Sequence, residues 1–125
     1  MAEILLVEDA ELVRFALSTL LKESGHRVTE VGNGHAAMTA VRDSRFDIVV
    51  TDIYMPEMDG IKLIRHLREA LPDAKVMAIT GGGARQQPDY AIDMASKLGA
   101  DVTMQKPVDN ETFLANVNWL ARGAT

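Results

Sequence analysis

The chain alternates between two apolar patterns, and this alternation limits its fold more than any other feature. Ile4, Leu5, Leu6 and Val7 form a short unbroken aliphatic run, the pattern of a strand buried on both faces. Val13, Ala16, Leu17, Leu20 and Leu21 then recur at helical spacing, with Gly25 as a stop. The cycle repeats. Val28 to Val31 predicts a second strand, Gly32-Asn33-Gly34 a turn, and Ala37, Ala40 and Val41 a modest helix. Ile48 to Thr51 is the most strand-like run. A helix follows from about Asp59, its expected N-cap, through Ile64, Leu67 and Leu71 to Pro72. Val76 to Ile79 predicts the fourth strand, and a long loop runs from Gly81 to Pro88. A helix is expected from about Asp89 to Leu98, then a weak strand from Val102 to Met104. Phe113, Val117, Leu120 and Ala121 line a last helix.

Five repeats of strand then helix predict an α/β fold, because parallel strands need crossover helices and so are covered on both faces. No linker or internal repeat interrupts residues 1–125, so a single domain is expected. The chain starts at Met1 and stops just past the last expected helix, which favours a stand-alone protein over a fragment. A formal net charge of −5 offers no basic field for nucleic acid or an anionic membrane. Cysteine is absent, which excludes disulfides and thiolate zinc sites. The start of the chain matches neither a signal peptide nor a spanning segment, so a cytoplasmic location is expected.

In an open parallel sheet, ligands bind beyond the carboxyl ends of the strands. The first predicted strand ends in Glu8-Asp9, the third in Asp52, the fourth in Thr80 and the fifth in Gln105-Lys106-Pro107. Three carboxylates, a hydroxyl and an ammonium therefore converge on one edge. Carboxylates so close raise one another's pKa unless a cation intervenes. Oxygen ligands without Cys or His suit a hard ion, and Mg²⁺ fits best. Any one of these residues alone reads more simply as a helix cap, a strand end or a solvated loop lysine. The set at matching strand ends does not. Gly81-Gly82-Gly83 lacks the Lys-Ser or Lys-Thr of a P-loop and reads as flexible punctuation.

From Ile4 to about Ala121 the sequence resembles the response-regulator receiver domains of two-component signalling. The resemblance rests on Glu8-Asp9, on the stretch from Thr51 and Asp52 through Tyr54, Met55-Pro56 and Met58-Asp59-Gly60, on Thr80, and on Lys106-Pro107. It implies a flavodoxin-like, doubly wound five-stranded parallel sheet, order 2-1-3-4-5, with five helices, an arrangement for which the chemotaxis receiver is a standard example. It also implies Mg²⁺-dependent transfer of a phosphoryl group to Asp52. The donor would be a sensor histidine kinase or a phosphotransfer protein, and the switched surface would engage a downstream protein target.

In the same resemblance Asp9 binds Mg²⁺ directly, Glu8 through water, and Asp52 and the Tyr54 carbonyl complete the metal set. Lys106 pairs first with Asp52 and later with a phosphoryl oxygen. Thr80 hydrogen-bonds the phosphoryl group, and Pro107 holds the preceding peptide cis. Such a domain catalyses only its own phosphorylation and dephosphorylation. Three features depart from the family. Thr103 stands where an aromatic switch residue is common, Tyr54 is bulky, and the segment from Gly81 to about Asp89 is long.

Two competing readings carry their own discriminators. A haloacid-dehalogenase-type phosphotransferase would place a second Asp two positions after the nucleophile, where this chain has Tyr54. A receiver fold that dispenses with phosphorylation would accommodate Thr103, but would not need Glu8, Asp9, Asp52, Thr80 and Lys106 together.

Overall fold

The computed structural model describes residues 1–53, 60–80, 96–97 and 99–123. The strands are β1 (Glu3–Val7), β2 (Arg27–Val31), β3 (Ile48–Asp52), β4 (Lys75–Thr80) and β5 (Val102–Gln105). They form one parallel sheet in the order β2-β1-β3-β4-β5, as expected. Among the described residues there are four helices: α1 (Glu11–Glu23), α2 (Gly34–Asp43), α3 (Gly60–Ala70) and α4 (Asn110–Ala121). The helix expected from about Asp89 to Leu98 lies outside them, apart from Ser96 and Lys97, which are helical. The expected cap Asp59 also lies outside.

The period of two along each strand sorts the core into two layers. Leu5, Val7, Val49, Val76 and Ala78 face α2 and α3, where they meet Ala37, Val41, Leu63, Ile64 and Leu67. Their neighbours Ile4, Leu6, Ile48, Val50, Met77 and Ile79 face α1 and α4, against Leu17, Leu21, Phe113, Val117 and Leu120. This explains the unbroken apolar runs of β1, β3 and β4: each residue, odd or even, has a helix to pack against. The edge strands β2 and β5 are more exposed. Charged Arg27 and Glu30 on β2 discourage pairing with another chain.

At the turn expected at Gly32-Asn33-Gly34, the chain bends at Gly32 and Asn33 and enters α2 at Gly34. Asn33 caps α2, its Oδ1 accepting the Ala36 N–H at 2.8 Å. An Asn side chain serves turn and cap equally, so composition alone does not separate them. Gly25, expected to stop α1, has φ +90°, a conformation that favours glycine. Gly99, also left-handed at φ +108°, lies under Arg68, and an added Cβ would stand 2.8 Å from the guanidinium Nε. That arginine donates to the carbonyls of Ala74 and Gly99 and to Asp101 Oδ2, tying the end of α3 to the entry of β5. No helix among the described residues is long and apolar enough to cross a membrane.

Candidate phosphoacceptor and metal site

Parallel strands end on a common edge, and the register brings the predicted residues there together. Val7 lies opposite Thr51, so Glu8 and Asp9 leave β1 beside Asp52. Asp52 lies opposite Ile79, with Thr80 one residue further along β4. Thr80 lies opposite Gln105, and its carbonyl accepts the Lys106 N–H at 2.7 Å. The β4–β5 ladder thus carries Lys106 to the same edge.

The Lys106 ammonium lies 2.8 Å from Asp52 Oδ2 and 2.6 Å from Glu8 Oε1. Oxygens of Glu8, Asp9 and Asp52 all lie within 4.8 Å of one another. The three acids are not equivalent. Glu8 and Asp52 are buried and Asp9 is exposed. Glu8 Oε2 also accepts the Ala10 N–H at 3.3 Å. Burial, reinforced by the nearby Asp52 carboxylate, pushes the Glu8 carboxyl from its ordinary 4.5 up to about 7, and Lys106 only partly offsets this. For Lys106, burial favours the neutral amine, but hydrogen bonds and charge from Asp52 and Glu8 outweigh it and raise the pKa.

This donor set fits a divalent hard cation. Three carboxylates crowd one spot, one is exposed enough to accept a hydrated ion, and a single ammonium serves the two that are buried. Thr80 is buried at the end of β4. Thr103 is half-buried on β5, opposite Ala78. The Lys106–Pro107 peptide is cis, as expected. Tyr54 and the long loop after Thr80 lie outside the described residues, and so does the proposed carbonyl ligand.

One residue escaped the sequence reading. Arg14 on α1 donates from Nη1 to the Glu8 carbonyl at 2.7 Å. On a helix face an arginine reads as solvated, and only its closeness to the acidic pair hinted otherwise.

Comparison with known proteins gives the family. The response regulator receiver domain model matches residues 4–118. The chain is 44% identical over 84 residues to the response regulator receiver protein CpdR of Brucella abortus, covering 67% of this chain and 70% of that protein. It is 30% identical over 123 residues to the protein PilH of Pseudomonas aeruginosa, covering 98% of this chain and all of PilH. The solved structure of the response regulator TrrA from Thermotoga maritima, in complex with Mg²⁺ and BeF, superposes with a TM-score of 0.83. That pair is 28% identical, over 96% of this chain and 99% of TrrA. The chain thus belongs to the response regulator receiver domain family and is a receiver domain of two-component systems.

Proposed function

We propose that this receiver accepts a phosphoryl group on Asp52, in a reaction that requires Mg²⁺ held by Glu8, Asp9 and Asp52 with the Tyr54 carbonyl. The observation that carries the reading is the meeting of Asp52, Glu8 and Lys106 at 2.6–2.8 Å beside a third carboxylate. The bound ion would supply charge neutralisation for the phosphoryl oxygens. An Asp52 oxygen attacks phosphorus as the phosphorus–nitrogen bond of a phosphohistidine breaks, and the imidazole leaves with the electron pair. A carboxylate is a weak nucleophile, so the site works by positioning and electrostatics.

Lys106, already on Asp52, is placed to follow the charge as it moves to the phosphoryl oxygens. The buried Thr80 hydroxyl at the end of β4 is our candidate for the hydrogen bond that senses the new group. With Thr103 in place of an aromatic, the signal would run chiefly through Thr80 and the segment after it. Sensor histidine kinases or phosphotransfer proteins are the donors in this reading, and a downstream protein is the target. Residues 1–125 act as one domain, in the cytoplasm. TrrA with Mg²⁺ and BeF supports the metal and phosphoryl parts by similarity.

Intact mass after treatment with acetyl phosphate and Mg²⁺ tests this. The wild type gains one phosphoryl group and Asp52→Asn gains none, because the amide keeps the shape and loses the nucleophile. Equal gain by the mutant would refute the assignment.

A further inference from the structure

Arg14 belongs to α1 by its backbone and to the acidic loop by its side chain. Its N–H donates to the Ala10 carbonyl at 2.9 Å, in the first turn of the helix. Its guanidinium turns back and donates to the Glu8 carbonyl at 2.7 Å. That carbonyl is part of the peptide joining Glu8 to Asp9, so its orientation sets the direction in which Asp9 leaves the backbone. The other side of Glu8 is already fixed, since its N–H donates to the Val31 carbonyl at 3.1 Å.

The guanidinium is itself held. Glu30 Oε1 on β2 lies 4.0 Å from Arg14 Nε, and the arginine side chain is only 22% exposed. Gly32 leaves it room: a Cβ there would stand 3.2 Å from Nη1, tighter than ordinary contact. A charged donor on a neutral carbonyl makes a strong, directional bond. Metal sites depend on such outer contacts to orient the ligands that touch the ion.

We propose that Arg14 is a positioning residue for the divalent-cation site, fixing the Glu8–Asp9 peptide so that both carboxylates face a single ion. This rests on the reading of Glu8, Asp9 and Asp52 as the Mg²⁺ site. The sign of the effect separates it from the alternatives. A through-space effect of the guanidinium charge would oppose cation binding, so its removal would tighten Mg²⁺. A purely structural role would lower the melting temperature and leave Mg²⁺ affinity of the folded protein unchanged. Positioning alone predicts weaker Mg²⁺ binding on loss of Arg14.

The experiment is calorimetric titration of the full chain with MgCl₂, well below the melting temperature, alongside thermal unfolding. Arg14→Gln is expected to weaken Mg²⁺ by about tenfold. Arg14→Lys, which keeps one donor for the carbonyl, recovers part of the loss. Gly32→Ala keeps every charge and displaces the guanidinium, and it is expected to weaken Mg²⁺ by a smaller factor in the same direction. Arg14→Gln affinity equal to or tighter than wild type overturns the proposal. If that variant does not fold, unchanged affinity in Gly32→Ala overturns it. Absence of Mg²⁺ binding by the wild type, or full binding by Asp9→Ala, would instead sink the site reading, and the proposal with it.

Discussion

Lys106 reaches across the sheet edge to Asp52, 54 positions earlier in the chain, with 2.8 Å between ammonium and carboxylate. The same nitrogen holds Glu8 at 2.6 Å. One cation thus serves two buried carboxylates, at the spot where a divalent ion would compete for them.

That competition predicts the behaviour of Lys106→Met. Without the ammonium, Glu8 and Asp52 lose their shared hydrogen-bonding cation, and the metal-free protein should lose about 2 kcal/mol. Mg²⁺ should bind more tightly and restore much of the loss. Urea unfolding with and without Mg²⁺ measures both effects. An equal loss of stability in the presence and absence of the ion would show that Lys106 and metal do not share these carboxylates.

Glu8 gives a pH dependence with a definite sign. Its folded pKa, about 7, lies above the ordinary 4.5, so the folded protein holds this proton more tightly than the unfolded chain does. The resulting stabilisation is complete below the ordinary value and is lost as pH rises through about 7. Mg²⁺ displaces the same proton, so its apparent affinity should rise roughly tenfold between about pH 6 and pH 8. Calorimetry in two buffers of different ionisation enthalpy should record proton release on binding, and Glu8→Gln should abolish that release. Binding without proton release at about pH 6 would count against this account.

Leu12 and Phe15 are strongly exposed, at 84% and 68%, on the first turns of α1 next to the acidic loop. Two large apolar side chains three residues apart form one patch. A protein donor docking over Asp52 would cover it. The double variant Leu12→Ala, Phe15→Ala should slow transfer from a phosphorylated histidine protein by about tenfold or more. Labelling by acetyl phosphate should be unchanged, since a small donor needs no docking surface. Parallel losses with both donors would mean that the substitutions disturb the site itself.

A change to the cap of a helix separates stability from the chemistry of the site. Asn33→Ala removes the cap of α2 and should cost about 1 kcal/mol of stability. Mg²⁺ affinity and the rate of Asp52 labelling should stay at wild-type values, because the Asn33 Oδ1 bond goes to the Ala36 N–H of α2 and not to the acidic loop. Chemical denaturation and intact-mass kinetics check the two halves. A fall in Mg²⁺ affinity would show that α2 bears on the site after all.

Among the described residues the element types were legible in the sequence because each has a local cause. β1, β3 and β4 are covered on both faces, so their central residues are apolar without a break, and the helices carry one stripe because only one side meets the sheet. The strand-end positions of Glu8, Asp9, Asp52, Thr80 and Lys106 followed from the same logic, since parallel strands finish on one edge. Local pattern could not rank the acids or pair them. That Glu8 is buried while Asp9 is exposed, and that Lys106 bridges Glu8 and Asp52, depends on strand register and on which neighbours exclude water. Likewise nothing periodic marks Arg14 as a partner of the Glu8 carbonyl, or Arg68 as the tie between α3 and Asp101. Long flexible side chains choose partners by reach in three dimensions, and that reach exists only once the sheet and its helices are assembled.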